Sequence, residues 1–447
     1  MNSIAEGLPQ FDARQGVIAV KSEPPVTHYG ALLTTGGLYL TGVYLASVTI
    51  VLPYILSTRG VMWAAGLIYP AYIVGYIIGN AFAPPVVARS GARVQLVLAG
   101  SAFAQAACVV IEATAARTDF FVAGAFLTMS VVAGIACGIN TIAEAEVVSR
   151  KLPEARRPSY FLACTAVGSL AVIVSTLLLT PFLTERDPRD SQVDLLWLGA
   201  AGILIAGIAA IVVGPARPEW DDPPAGGLAT IYRDGWAVAR SQPWFRQNLI
   251  TQALFVPISL SATFYTLHSQ EVYGRAPGNL HALVVFGGLG IIVGAPFWRY
   301  VFKAAGVRGM LMTSASISFG TALICIVAEV FDDWSVDWVH GFVIMLSMVA
   351  AQPIFSASVS WISAFAPAHD RATLIASGTL LVAVQAILLG GILGAIAHNA
   401  SAIWPVVVIL LMHLCAAIVA TRAPGRSAVG PSPAPGAASL DDRPSQV

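Results

Sequence analysis

The sequence is short of charge. Asp, Glu, Lys and Arg make up 11% of its 447 residues, against roughly 25% in an average soluble domain. A water-soluble chain of this length has too much surface to cover with so few charged groups. Lysine is scarcest: Lys21, Lys151 and Lys303 are the only ones. No Gly-x4-Gly-Lys phosphate loop exists, so ATP-driven pumping within the chain is not expected. HExxH and GxSxG are missing too, and with them two hydrolase signatures. The chain is read as a non-enzyme without a cofactor. Its net charge of +0 gives no global basic field of the kind nucleic-acid binders use. Cys108, Cys137, Cys164, Cys325 and Cys415 all lie in apolar runs, and none forms a CxxC pair. That spacing suggests neither a disulfide framework nor a zinc site, only small apolar packing residues. The polar start, up to about Tyr29, lacks a short apolar core followed by a cleavage site, so no cleaved signal peptide is expected.

What the sequence has is long apolar runs. Its hydrophobic fraction is 57% and its mean hydropathy is +0.75. A membrane span needs about 20 mostly apolar residues. Twelve stretches qualify: 32–58, 62–88, 94–115, 120–149, 159–183, 195–213, 248–272, 280–302, 309–331, 339–365, 374–398 and 402–421. The expected fold is therefore an all-α membrane protein of twelve transmembrane helices in two six-helix bundles, 32–213 and 248–421. Three polar segments complete the plan. Residues 1–31 form an N-terminal tail, and 214–247 a central loop with a short amphipathic helix at the membrane surface. The Pro/Ala/Ser-rich segment 422–447 reads as a disordered tail.

The basic residues set the orientation. With the N-terminus in the cytoplasm, 19 of the 24 Lys and Arg fall on the cytoplasmic side. The positive-inside rule then places both termini in the cytoplasm, as an even number of spans requires. Acidic runs at 185–194 and 332–337 fall outside.

The chain also repeats itself. Shifting the sequence by 215 residues aligns GYIIGNAFAPPVVARSGARVQL, from Gly75, with GIIVGAPFWRYVFKAAGVRGML, from Gly290. Gly75, Ile77, Gly79, Phe82, Val86, Gly91, Arg93 and Leu96 each meet an identical residue. A weaker echo relates LPEARRPS after span 4 to APAHDRAT after span 10. Gly75 and Gly79, like Gly290 and Gly294, are four apart on one helix face, a spacing that lets helices approach closely. Packing explains it; a gate is the sharper reading. Gly91 and Gly306 stand where a tight turn calls for positive φ. Arg93 and Arg308 then begin the next helix, placed to bridge neighbouring helix ends or lipid headgroups.

At this loop the sequence resembles the major facilitator superfamily, whose loop between helices 2 and 3 has the form G-x-x-x-D-R-x-G-R-R. Arg89, Gly91 and Arg93 fit the R-x-G-x-R part, while Pro84 and Ala88 replace the glycine and the aspartate. The spans, the long central loop and the cytoplasmic ends match over about residues 30–422. Two subfamily signals are missing. Ser130 stands where many proton-coupled members carry an arginine in helix 4, and span 5 has no GPxxGG. The resemblance implies that helices 1, 4, 7 and 10 face a central cavity.

The midplane groups are neutral. Tyr39, Tyr44, Tyr72, Gln105, Asn140, Gln252, Tyr265, Gln352, Trp361 and Gln385 are the candidates for lining a substrate cavity. Helix packing is the competing role for each. No Arg or Lys falls near the midplane, so a phosphate or dicarboxylate lacks its natural partner. Glu144, one turn from Asn140, is the candidate proton site; an ion pair with Arg150 or Arg157 is the alternative. Glu112, Glu271, Glu329, His340 and His398 are expected at water-exposed external ends, and His413 packed and neutral.

These readings converge on a secondary transporter in a bacterial inner membrane. It would move a small neutral or amphipathic organic solute by alternating access, coupled to a proton or other cation, with efflux favoured. Metabolite uptake by symport and a non-transporting receptor or scaffold on the same fold remain as alternatives. The partners implied are the solute, the lipid bilayer and the coupling ion. No nucleic acid is expected, and the chain is read as a monomer.

Overall fold

Lipid tails offer no hydrogen-bond partner, so a chain this apolar has to satisfy its backbone within each segment. A helix does so and an open strand does not. The computed structural model describes residues 29–153, 156–183, 188–215, 233, 236–238, 240–273, 278–331, 337–366 and 371–425, and no strand occurs among them. The helices are α1 (Tyr29–Leu45), α2 (Val51–Thr58), α3 (Met62–Ser90), α4 (Val94–Thr118), α5 (Val122–Lys151), α6 (Arg157–Leu183) and α7 (Pro188–Val213) in the N-terminal half. The C-terminal half holds α8 (Pro243–Tyr273), α9 (Asn279–Val330), α10 (Asp337–Ala351), α11 (Pro353–Phe365), α12 (Arg371–Asn399) and α13 (Ile403–Ala420).

Among the described residues, nine helical runs are long and apolar enough to cross a membrane. Two are far too long for one crossing. Asn279–Val330 has 52 residues, about 78 Å of straight helix, against a hydrocarbon core of about 30 Å. It bends back at Gly306, where φ is 65° and ψ −158°. The run Met62–Thr118 does the same at Gly91, with φ 54° and ψ −119°. Both glycines thus hold the positive φ expected of them, and at the second a glycine kink replaces the loop anticipated between spans 8 and 9. All twelve apolar stretches fall on helix apart from their end residues and two internal breaks. The first break separates α1 from α2, and the second falls at Gln352, where Pro353 starts α11 rather than sitting inside a helix.

The repeated glycines are contact points. The backbone carbonyls of Val131 and Ile135 on α5 press against Gly75 and Gly79 of α3; in return Gly134 and Gly138 of α5 face the carbonyls of Tyr72 and Tyr76. In the second half Gly290 of α9 meets the carbonyl of Met345 on α10, and Gly294 makes room for the side chain of Gln352. The same close packing is built twice.

The turns at Gly91 and Gly306 mark one end of the molecule, here the terminus end. There Arg308 Nε donates to Ala423 O at 2.7 Å, just past α13, and Lys151 Nζ to Val213 O at 2.6 Å. Cations at helix C-termini satisfy the last carbonyls and oppose the helix dipole. Arg308 therefore bridges to a neighbouring helix end as its position suggested; Arg89 and Arg93 are exposed.

The apolar interior is asymmetric along the membrane normal. Its largest cluster lies towards the far end and draws on both halves: Ile50, Tyr54 and Leu56 pack with Leu260, Phe264, Leu283 and Ile344. Four other clusters are each confined to one half. Two close glycine contacts are among those that join the halves: α3 meets α12 where Gly66 approaches Gly390 and Gly394, and α6 meets α9 where Ile173 lies on Gly288. Asn279 Nδ2 also donates to Tyr54 Oη at 3.3 Å. Outside, Leu177, Ile208, Leu388 and Leu411 are more than half exposed, an apolar girdle whose solvent is lipid.

The N-terminal tail (1–31, described only from Tyr29), most of the 214–247 loop with its amphipathic helix, residues 185–187 and 332–336 of the two acidic runs, and the tail from residue 426 lie outside the described residues. So do parts of both copies of the loop echo after spans 4 and 10. Within the central loop the Arg240 guanidinium lies 5.2 Å from the centre of the Trp236 ring.

Candidate functional site

Small residues on α1 let α6 and α7 pack against it and admit the Glu144 side chain of α5, which brings polar side chains of the N-terminal half together. Gly36 is the tightest point. A Cβ there would lie 2.6 Å from Cys164 Sγ, 2.8 Å from Tyr160 Oη and 3.0 Å from Glu144 Oε1. Glu144 sits in the space that this missing side chain leaves. Its Oε1 accepts from Tyr160 Oη at 2.9 Å, and the same hydroxyl lies 3.1 Å from Leu32 O. Thr35, Gly36, Tyr39, Leu98, Ala102, Asn140, Glu144 and Ala206 line one narrow cleft, closed even to a water molecule in this structure.

Towards the midplane the network continues through neutral groups. Tyr39 Oη donates to Gln105 Oε1 at 2.5 Å. The hydroxyls of Tyr39 and Tyr72 both lie beside the Cys137 thiol, where α1, α3 and α5 meet. Asn140 Nδ2 donates to Ser101 Oγ at 3.0 Å and to Leu98 O at 3.3 Å. Tyr39, Tyr72, Gln105, Asn140 and Glu144, picked out separately along the chain, thus form one neighbourhood. Thr35, Gly36, Ser101, Cys137, Tyr160 and Cys164 belong to it and were missed. They are small or lie in apolar runs, and only Gly36 carried a signal, as one of a Gly36-Gly37 pair in a span.

The ion pair considered for Glu144 does not form. Arg150 Nε pairs instead with Glu146 Oε1 at 2.7 Å, one turn away, and its terminal nitrogen donates to Gly91 O at 2.7 Å. Arg157 donates to Ser149 O at 2.8 Å and Leu152 O at 3.1 Å. Both cations fasten the terminus end of α5 and leave Glu144 to a tyrosine.

In the C-terminal half most candidates hold helices together. Gln352 Nε2 donates to Gly290 O at 3.1 Å, and Gln385 Nε2 to Ala253 O at 2.6 Å. An amide beside a helix finds a backbone carbonyl before it finds a solute. Tyr265 is 1% exposed and belongs to the shared core, and Trp361 is 2% exposed in a core of the C-terminal half. Tyr265 and Trp361 are enclosed here, whereas Gln352 and Gln385 are half-buried. Gln252 is half-buried against Gly378, and Tyr44 is half-buried on the shared core. Across the two halves, Tyr69 of α3 lies beside Ser259 of α8.

Two expected water-exposed ends are interior instead. Glu112 is 1% exposed beside Ser130, where α4 packs on α5. His340 is 2% exposed. Glu271 caps a helix: its Oε2 accepts from Ala402 N at 2.7 Å and Ser401 Oγ at 3.1 Å, before α13. Glu329 and His398 are exposed, and His413 is fully buried. At the far surface Arg59 pairs with Asp119 beside a shallow pocket that Thr58, Phe121 and Val122 line.

Comparison with known proteins agrees with this architecture. The chain is 41% identical over 417 residues to an uncharacterized protein of Mycobacterium tuberculosis, covering 93% of this chain and 81% of that one. Among solved structures it superposes on a mutant of the nucleoside transporter NupG with a TM-score of 0.68 at 12% identity, covering 88% of this chain and 99% of that one. It superposes on a D-xylose-proton symporter with a TM-score of 0.60 at 14% identity, covering 87% and 96%. At such identities the likeness is one of fold. The family model for the Major Facilitator Superfamily matches residues 30–388. A multi-pass helical chain with these turns and this match is a membrane transporter rather than an enzyme, and it belongs to the major facilitator superfamily.

Proposed function

We propose that the protein is a secondary transporter that carries a small neutral or amphipathic organic solute by alternating access, with both termini cytoplasmic and a proton as coupling ion. The asymmetry of the apolar core carries this reading. The halves share a core at the far end and keep separate cores at the terminus end. In the positive-inside orientation the far end is the outer closure, and the separate cores leave the halves free to part on the cytoplasmic side. Glycine contacts between α3 and α12, where backbone meets backbone at Gly66, Gly390 and Gly394, leave few interlocked side chains to tear apart when the outer end opens.

The solute class follows from the chemistry of the cleft. Hydroxyl, amide and thiol groups from Tyr39, Tyr72, Gln105, Asn140 and Cys137 offer hydrogen bonds, and the cleft's described lining includes no cation for an anionic solute. Glu144 is the proton carrier of this reading, a carboxylate that a tyrosine rather than an arginine holds.

The test begins with thermal stabilisation of the purified protein by nucleosides, sugars and amphipathic amines, followed by transport of the stabilising compound in proteoliposomes. Glu144→Gln is expected to keep solute exchange and to lose accumulation driven by an imposed pH gradient by about tenfold or more, since one group carries the coupling. Undiminished uphill accumulation with an unchanged pH profile in that variant sinks the coupling assignment. Vesicles of each orientation separate efflux from uptake.

A further inference from the structure

Away from the cleft, at the far end of the C-terminal half, three metal-ligating side chains from three helices meet in the interior. His268 comes from the last turns of α8, Cys325 from the last turns of α9 and His340 from the first turn of α10. One ligand atom from each lies within 4.8 Å of the others. The three are 1%, 0% and 2% exposed. Both ring nitrogens of His268 and both of His340 are buried without a hydrogen-bond partner. Two imidazoles enclosed side by side, their ring centres 5.3 Å apart, each with a lone pair that no hydrogen-bond donor meets, point to a missing partner that takes electron pairs.

A fourth ligand stands at the rim. Glu329 lies one turn beyond Cys325 on the same face of α9. Its Oε2 is 3.6 Å from His268 Nε2, and its side chain is 42% exposed. It therefore links the enclosed cluster to the surface and gives an ion a way in. The Tyr273 ring stands edge-on to His340 at 5.1 Å and closes another side.

We propose that His268, Cys325, His340 and Glu329 form a zinc(II) site that ties α8, α9 and α10 together at the far end. Two imidazoles, a thiolate and a carboxylate are a borderline-soft donor set, suited to zinc and unsuited to magnesium or calcium. The thiolate and the carboxylate cancel the two positive charges, so the complex is neutral where a net charge is costly. Metal–ligand bonds of about 2.0–2.3 Å require the three inner ligand atoms to draw in slightly. No short motif announces this set, because its members are scattered over three helices and only the fold assembles them. The ion is a resident clamp outside the proposed solute cleft, so the proposal stands apart from the transport reading.

The test uses the full untagged chain in detergent, stripped with a chelator and then offered zinc chloride. Mass spectrometry of the metal content is expected to find about one zinc per chain, and zinc to raise the melting temperature. Cobalt(II) in its place is expected to give a thiolate-to-cobalt charge-transfer band. Cys325→Ser is expected to lose that band, and His340→Gln to hold zinc at least about tenfold more weakly. Glu329→Gln, at the exposed rim, is expected to keep the thiolate band and weaken zinc by about tenfold. The cobalt spectrum of the unmodified chain needs no variant to fold. Its lack of a thiolate band, or full zinc occupancy in both Cys325→Ser and His340→Gln, overturns the site.

Discussion

Tyr160 shows how much a single hydroxyl organises. It reaches Glu144 and a carbonyl of α1 from the same oxygen. Tyr160→Phe is expected to cost about 0.5–1.5 kcal/mol, the usual net worth of one hydrogen bond. Chemical denaturation measures that cost. If Glu144 carries the proton, the same variant also shifts the pH profile of transport; a stability loss with no such shift leaves Tyr160 a packing residue. Gly36→Val tests the same contact from the other side, since its side chain would collide with Cys164, Tyr160 and Glu144 at once. At this scale the site was unevenly legible in the sequence. Glu144 and Asn140 stood out because an ionisable or amide group in a span is rare. Gln352 and Gln385 stood out for the same reason, and like Asn140 they donate to a backbone carbonyl of a neighbouring helix, because a polar group in lipid takes the nearest partner.

At the scale of the element, two glycines of one repeat separate two kinds of necessity. A Cβ at Gly75 would stand 1.9 Å from Val131 O, whereas at Gly91 it would meet nothing within 4 Å. Gly91 is needed for its φ of 54°. Gly91→Ala is therefore expected to cost about 1–3 kcal/mol of backbone strain and to leave the packing of α3 on α5 intact. Gly75→Ala has to push two helices apart and is expected to cost more, about 2–5 kcal/mol. Comparing the two in thermal melts checks the ranking, and a reversed order refutes it. The spacing of Gly75 with Gly79 and of Gly290 with Gly294 announced close packing before any partner was known. The partners were invisible: nothing local in α3 says that α5 lies against it.

The whole molecule is held shut at the far end by contacts between halves. Tyr54 and Asn279 sit within hydrogen-bond distance across that seam, 3.3 Å apart. Placing Tyr54→Cys and Asn279→Cys together in a Cys415→Ser background and joining them with a short thiol crosslinker is expected to abolish net transport. Reductive cleavage of the link is expected to restore it. Transport that persists with the link in place means that the far end does not open during the cycle. Neither single variant should respond to the crosslinker.

Composition and hydropathy alone determined that lipid surrounds this chain, that helices cross it, and that its two halves repeat a turn built on a glycine and an arginine. Those features are local: each depends on the run of side chains within one segment and on the inability of lipid to satisfy a backbone. Which side chains meet was decided only by the tertiary structure. His268, Cys325 and His340 lie on separate helices, as do Gly36, Glu144 and Tyr160. Their proximity follows from how helix surfaces of particular shape pack, a property of the assembled bundle that no single segment contains.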